Sequence, residues 1–390
     1  MKYFSRFVAS LVFVAFLSWL PVALAGDFIK DHAPPLKEIP LMPEAEFNSK
    51  TTLYEDTPGG DSHLAYSVRI PQSWEKPENS EIGAIGVADD FLGEILRFYS
   101  PPMLDSRSSF AIEAGNLSYK LTATEWLMQH LVTNGYTIQG IVEINEKRAE
   151  AIYVKVEKDV AYVIRAAAVM NGKRIILAQY ALPSDYWEQD QQMQAQVIKS
   201  FALTSPVEET VEEMTKYRFL DISEFFYPAS WQFKSAPLKN ADRMSFYLLR
   251  VASEERVNWK DYKRLNGRIQ ADIVAHDIVS SLGEEVQVIK ENLSGLGLVL
   301  GDVIEKRDVP KLKPAVNSSK IEVYRAIDNE TNSLDYEFFI TVLESGDYYY
   351  FISMISPSRD QDFFVWARNK HTFNMVLETF QPLDESLVGR

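Results

Sequence analysis

The sequence contains no cysteine among its 390 residues. This absence excludes disulfide bonds, thiol catalysis, cysteine-based zinc sites and lipid attachment at a cysteine. Histidine is also scarce: the chain has only His32, His63, His130, His276 and His371, and no two of them lie at metal-ligand spacing within one predicted element. A histidine metal site is therefore not expected, nor is any cofactor. Stability must come from hydrophobic cores alone, which suits domains well above ~100 residues.

Positive charge is in short supply as well. The chain has 40 Lys and Arg residues and 55 Asp and Glu residues, so its formal net charge is −15. Removing the two positive charges at Lys2 and Arg6 with a cleaved N-terminus would take it to −17. Such an acidic surface repels phosphate backbones and anionic lipid headgroups, and we expect no nucleic-acid binding.

Long hydrophobic runs are absent except at the N-terminus. The run "FVASLVFVAFLSWL" (7–20) follows Lys2 and Arg6 and precedes the small-residue sequence Ala23-Leu24-Ala25. This pattern predicts a signal peptide over residues 1–25, cleaved between Ala25 and Gly26, and a periplasmic or secreted protein. The run is shorter than the ~20 residues that span a bilayer. The alternative is an uncleaved segment that anchors the chain in the inner membrane.

Two proline- or acid-rich segments divide the rest of the chain. Four prolines within residues 26–47 predict an extended, proline-rich lead-in over residues 26–60. Pro206 and four glutamates in "TSPVEETVEEMTK" (204–216) predict an acidic linker at 205–216. We therefore predict one domain at 61–204 and another at 217–385.

The two predicted domains begin alike and end alike. Pro71-Gln72-Ser73-Trp74 follows one strand-like run, Pro228-Ala229-Ser230-Trp231 follows another, and the halves close with "VIKSF" (197–201) and "VLETF" (376–380). The offset grows from 157 residues at the tryptophan to 179 at the last phenylalanine, which indicates a tandem duplication with 22 extra residues in the second copy. We predict that Pro71, Trp74, Pro228 and Trp231 are structural, because proline ends a strand and tryptophan then covers the sheet edge. A ligand-stacking tryptophan is the alternative.

Between these ends, the same elements are predicted in the same order. Turns at Asn171-Gly172 and Ser345-Gly346 indicate hairpins. Strands, helices and an insertion complete the pattern: strands at 151–156, 174–184, 320–327 and 348–358, helices at 122–132 and 270–283, closing helices before Phe201 and Phe380, and a loop or added hairpin at 292–317.

This order resembles the PsbP/Mog1-like family, which includes the photosystem II extrinsic subunit, Ran-binding Mog1 proteins and DcrB-type bacterial envelope proteins. The resemblance rests on "YSVRIPQSW" (66–74), "ISEFFYPASW" (222–231) and the two closing helices, and it covers residues 60–204 and 217–385. It implies an α+β fold of two tandem α-β-α sandwich domains, each an antiparallel sheet flanked by helices. It also implies a non-catalytic binding or assembly module acting with an envelope protein complex, although the family is usually a single domain.

Two other functions stay open. Ser73 and Lys76 have the Ser-x-x-Lys spacing of penicillin-binding enzymes, but the partner motifs of that chemistry are missing, so a periplasmic hydrolase would need unidentified chemistry. "DNETNSLDYEFF" (328–339) places Asp328, Glu330 and Asn332 like calcium ligands, but Ser333 and Phe339 occupy the Gly and Glu positions of an EF-hand. A weak calcium site there or at Asp89-Asp90 is the second alternative.

Overall fold

The computed structural model describes residue 29 and residues 32–77, 92–102, 106–219, 222–236, 243–251, 265–314, 316–329 and 335–383. Over this part, the chain has the predicted α+β fold of antiparallel sheets flanked by helices. The α-helices are α1 (Glu44–Lys50), α2 (Ala123–Thr133), α3 (Trp187–Ser200), α4 (Leu282–Ser294) and α5 (Phe363–Thr379). None of these helices, in the part of the chain described, is long and apolar enough to cross a membrane.

The strands of the first half of the chain form two sheets. In chain order the strands are β1 (Thr51–Asp56), β2 (Tyr66–Pro71), β3 (Gly93–Tyr99), β4 (Ser109–Asn116), β5 (Thr137–Asn145), β6 (Arg148–Glu157), β7 (Val160–Asn171), β8 (Arg174–Pro183) and β9 (Ala202–Leu203). The six-stranded first sheet has the order β3-β4-β8-β7-β6-β5, and β1-β2-β9 form a small sheet.

The second half follows the same plan. Its strands are β10 (Met214–Phe219), β11 (Ser223–Pro228), β12 (Gln232–Ser235), β13 (Arg243–Val251), β14 (Leu265–Ala275), β15 (Leu298–Arg307), β16 (Asn317–Ser318), β17 (Ile321–Asp328), β18 (Asp335–Ser345), β19 (Tyr348–Pro357) and β20 (Gln381–Pro382). The second sheet has the order β12-β13-β14-β19-β18-β17-β15, with β16 paired to β18, and β10-β11-β20 form a small sheet. From β13 onward, this path repeats that of the first sheet.

The predicted hairpins are confirmed. Asn171 pairs with Arg174 across the β7–β8 turn, and Ser345 pairs with Tyr348 across the β18–β19 turn. Gly172 and Gly346, which follow the first residue of each turn, have φ of 58° and 59°. A side chain is strained at such positive φ values, so glycine is the residue that these tight turns require.

The predicted helix at 270–283 is wrong. Residues up to Ala275 belong to β14, and helix α4 begins only at Leu282. Val274, Ile278 and Leu282 have helical spacing, but Ile269, Ala271 and Ile273 alternate with a period of two and are buried on one face of the sheet. The segment forms a strand because β14 is hydrogen-bonded to a neighbour on each side, β13 and β19.

Two other predicted segments also need correction. The predicted extended lead-in contains regular structure from residue 44 onward, because α1 and β1 together occupy residues 44–56. Pro43 directly precedes a first turn that carries Glu44 and Glu46, a favourable helix start. The segment predicted as a loop or an added hairpin at 292–317 contains β15, an edge strand that pairs with β17.

Each large sheet is covered by one helix on each of its two faces. Helix α2 packs on β5, β6 and β7, whereas α3 packs on β7 and β8. Along β7, Ala166 and Ala168 belong to the core on the α2 side, and Ala167 and Val169 belong to the core on the α3 side. In the second half, α5 packs on β14 and β19, and α4 packs on β15.

One hydrophobic core joins the two halves. The cluster that contains Leu127 and Met128 of α2 also contains Phe373 and Val376 of α5, together with side chains from both large sheets. Helices α2 and α5 are in contact. The α2 side of the first half therefore packs against the closing-helix side of the second half.

The segment predicted as a linker is tied to the first half. The Val207 backbone N–H donates to Asn171 Oδ1 at 2.6 Å, and Asn171 Nδ2 donates to the Ser205 carbonyl at 3.0 Å. Glu208 pairs with Lys147, and residues from Met214 onward already belong to β10. The irregular connection is thus shorter than predicted, and the domain division itself stays a prediction.

Candidate functional site

The two Pro-x-Ser-Trp segments fold into the same turn. Pro71 ends β2, and its carbonyl oxygen accepts a hydrogen bond from the Trp74 backbone N–H at 3.0 Å. Pro228 ends β11 and accepts from the Trp231 N–H at 3.0 Å. Proline cannot donate to a strand ladder, so each strand stops at this residue and the chain reverses.

The two indoles lie in different surroundings. Trp231 is 3% exposed and belongs to the core shared by the halves. Trp74 is half-buried and rests on Tyr180, with 4.8 Å between the ring centroids. The predicted structural role therefore has a stronger packing basis at Trp231 than at Trp74.

The serines of these turns make contacts unlike those of a nucleophile–base pair. Ser73 is exposed, while Lys76 Nζ donates to the Tyr54 hydroxyl at 3.1 Å. In the second turn, Ser230 Oγ donates to Glu212 Oε2 at 2.7 Å. The lysine of the Ser-x-x-Lys sequence, Lys76, thus contacts Tyr54 of β1 in the small sheet of the first half.

The remaining predicted positions are dispersed. Within the described ranges, no three His, Asp or Glu side chains are grouped so that they could hold a metal ion. Asp328 is buried at the end of β17. The rest of the calcium-like sequence around Glu330 and Asn332, the pair Asp89-Asp90 and the cleavage site Ala25-Gly26 lie outside the described residues.

Glu125 joins the halves through α2 and α5. Its Oε1 accepts from Lys370 Nζ at 3.0 Å, and its Oε2 lies 2.7 Å from His371 Nε2. The side chain also accepts from the Thr122 N–H, which completes a capping box at the start of α2. Burial alone would raise the pKa of Glu125, but the charges of His371 and Lys370 hold it well below its ordinary value of 4.5. No sequence pattern pointed to this contact.

Helix α4 corresponds to α2 but is far less buried. Both begin with a hydroxyl N-cap and a glutamate three residues later, Thr122 and Glu125 in α2 and Ser281 and Glu284 in α4. Six of the 11 residues of α2 are buried, whereas Leu293 alone is buried among the 13 of α4. The outward side of α4 therefore stays open where that of α2 is covered by α5.

A groove of about 470 Å³ opens beside the first turn of α4. We call it the α4 groove. Its apolar lining comes from α4, β18 and β19: Leu282, Val286, Ile340, Val342 and Tyr349.

The edge of the α4 groove carries charges of both signs. Glu322, Glu344 and Lys320 line it, and Glu322 is paired with Lys306. Glu284 is exposed on the adjoining turn of α4. Leu282 at the start of α4 is 40% exposed, and Val288, six residues further along the helix, is 46% exposed. An apolar groove with the exposed Glu284 beside it suits an occupant with an apolar stripe and a basic group that meets this glutamate. Sequence reasoning missed this groove because it placed the helix 12 residues too early.

No family model and no curated protein match this chain. Solved structures similar to it include the Ran-binding protein Mog1p of Saccharomyces cerevisiae, at 13% identity over 45% of this chain and 98% of that one, TM-score 0.31. Cyanobacterial PsbP from Synechocystis sp. PCC 6803 has 14% identity over 43% and 98%, TM-score 0.29. LpqN, involved in cell envelope biogenesis of Mycobacterium tuberculosis, has 12% identity over 42% and 98%, TM-score 0.28. At such TM-scores, the fold class rests on the sheets and helices described above.

Proposed function

We propose that this chain is an exported, non-catalytic binding module that holds a helix of an envelope protein on the α4 groove. The observation that carries the proposal is the contrast between α2 and α4. The helix that corresponds to a covered helix in the first half is left with one buried side chain in the second. An apolar groove beside such a helix is a surface on which a partner helix can be buried.

We further propose that the two halves arose by tandem duplication. The support is the repeated strand path of the large sheets, the repeated Pro-x-Ser-Trp turn and the repeated N-cap of α2 and α4. The extra residues of the second copy lie in the region around β15 and β16. Two copies packed head to tail leave one copy of each contacting surface unused, since such a contact is not self-complementary. These surfaces are the α3 side of the first half and the α4 side of the second, and the α4 side is the one that carries the groove.

The contact inside the chain indicates the chemistry of the partner. Helix α5 presents Lys370 and His371 to Glu125 at the N-terminal turn of α2. Glu284 holds the matching position on α4 and is exposed. The partner segment is therefore an amphipathic helix with an apolar stripe and at least one basic residue near its point of contact with Glu284.

Export is part of the proposal and depends on residues 1–25. These residues lie outside the described part of the chain, so the support is the sequence pattern alone. Fractionation of cells that produce a C-terminally tagged chain checks it directly. We expect a shortened protein that begins at Gly26 in the periplasm or medium.

Site-specific photo-crosslinking tests the docking surface. A photoreactive amino acid at Ser318, an exposed residue of the groove lining, should crosslink in whole cells to one defined envelope protein, and digestion of the product should place the link in a basic amphipathic helix. The same group at Val132, which is 48% exposed on α2, serves as the control and should give no product.

Two substitutions then test apolar and charge contacts separately. Leu282→Ser removes an apolar side chain from the groove, and Glu284→Lys reverses the charge proposed to meet a basic partner. Each should reduce the crosslink yield from Ser318 at least fivefold, whereas Val132→Ser should leave it unchanged. Equal yields from positions 318 and 132, or a product formed only with a second copy of this chain, would reject the proposed partner.

A further inference from the structure

A second cleft lies on the α2 side of the first sheet, where α2 does not reach. Helix α2 packs on β5, β6 and β7, and the neighbouring strands β3, β4 and β8 bear side chains that line a cleft of about 200 Å³. The charged lining consists of Arg97, Arg107, Lys155, Glu113 and Glu157. This volume equals roughly seven water molecules at ~30 Å³ each, and it is below the ~300–1,000 Å³ of pockets for drug-sized ligands.

A hydrogen-bond relay fixes the polar floor of the cleft. The hydroxyl of Tyr153, a fully buried residue, donates to Gln179 Oε1 at 2.5 Å. The Gln179 amide nitrogen consequently points to Glu113 and donates to its Oε2 at 2.9 Å. Burial raises the pKa of Glu113, and the charge of Arg97 opposes that shift. The floor is thus held in one orientation before any ligand arrives.

The corresponding place in the second sheet is closed. Glu113 of β4 pairs with Leu177 of β8, and Asp272 of β14 pairs with Phe351 of β19, at the same step of each ladder. Asp272 accepts from Ser245 Oγ at 2.5 Å and from Gln270 Nε2 at 2.8 Å.

At the corresponding place, which Gln270 and Ser353 line, α4 and the sheet leave a cavity of only about 40 Å³. Side chains of the protein itself therefore occupy in the second half the space that is open in the first.

The charges at the cleft balance once the neighbours of its lining are included. Three cationic and two acidic side chains line the cleft, and Glu94 beside Arg97 adds a third acid. Lys155 pairs with Glu157, and Arg97 pairs with Glu94. Arg107 is exposed and makes no hydrogen bond or ion pair with the residues that the structure describes. Arg107 is therefore the lining cation that is available to a ligand, and a cation in a concave site attracts anions.

We propose that this cleft binds a small ligand through its oxyanion group, a carboxylate or a phosphoryl group, which Arg107 and Lys155 hold by charge-assisted hydrogen bonds. Gln179 and Glu113 bind a neighbouring polar group of the same ligand. The guanidinium fork of Arg107 matches either oxyanion in two-point geometry.

Isothermal titration calorimetry of the full mature chain at constant ionic strength tests this site. The probes are inorganic phosphate and succinate, which represent the two oxyanions. We expect saturable binding of at least one probe. Arg107→Gln should weaken it at least tenfold, and Lys155→Gln should weaken it too. Because Arg107 is exposed, its loss should leave folding intact, which circular dichroism checks.

The control is Lys199→Gln, which removes an exposed cation from α3 on the opposite face of the first sheet. It should leave both affinities unchanged. Binding of phosphate alone identifies a phosphoryl group and binding of succinate alone a carboxylate, and either result supports the site. No saturable binding, or binding that Arg107→Gln and Lys199→Gln weaken equally, overturns it.

Discussion

At the scale of single residues, the paired tryptophans give the clearest test. Trp231→Ala should lower the free energy of unfolding by about 3–5 kcal/mol, the usual loss for a large core aromatic. Trp74→Ala should cost less, because Trp74 is half-buried whereas Trp231 is 3% exposed. Urea unfolding followed by circular dichroism measures both. Since the two residues occupy the same turn, equal losses would show that the turn and not the burial sets the cost.

The sequence could predict the turn but not its surroundings. Proline before a short polar step predicts the end of a strand from local chemistry alone, and both turns form as expected. The burial of Trp231 depends instead on packing within the core that joins the halves. Glu125 likewise meets Lys370, 245 residues away, and no spacing within one element signals such a contact.

At the scale of elements, α4 should be less stable than α2. Six buried side chains and a complete capping box hold α2, while one buried side chain and a long N-cap bond of 3.4 Å hold α4. Local opening costs little where few apolar contacts break. Hydrogen exchange followed by mass spectrometry should therefore show amides of α4 exchanging at least tenfold faster than those of α2. Similar protection in both helices would mean that α4 is held by contacts beyond those described.

The sequence predicts a helix or strand correctly where the apolar residues follow a single spacing, either helical or alternating. Helix α2 was found because its buried face, Leu127, Met128 and Leu131, has helical spacing and a cap at Thr122. The stretch 270–283 satisfied a helical and an alternating pattern together, and strand pairing on both sides decided for the strand. The edge strands β5 and β15 were missed because much of their surface is exposed, which blurs the alternation.

At the scale of the whole molecule, the shared core makes the halves interdependent. The contact of α2 with α5 buries a carboxylate whose two charged partners both belong to the other half. Removing one member of such a buried charged group leaves the others uncompensated, typically at a cost of about 3–5 kcal/mol. The head-to-tail arrangement therefore depends on the ionisation of Glu125. The free energy of unfolding should consequently depend on pH through this residue.

Glu125→Gln should lower stability at neutral pH and flatten the loss of stability in acid. In the folded protein the pKa of Glu125 lies below its ordinary value of 4.5, so its contribution is complete above that pH. As the pH falls below 4.5, the unfolded chain takes up the proton first and the contribution is progressively lost. Urea unfolding of wild type and Glu125→Gln from pH 7 to pH 3 should thus give free energies that differ most at pH 7 and converge in acid. Glu284→Gln, which changes the matching but exposed glutamate of α4, should follow the wild-type curve. A difference between wild type and Glu125→Gln that stays constant with pH would show that Glu125 acts through packing and not through its charge.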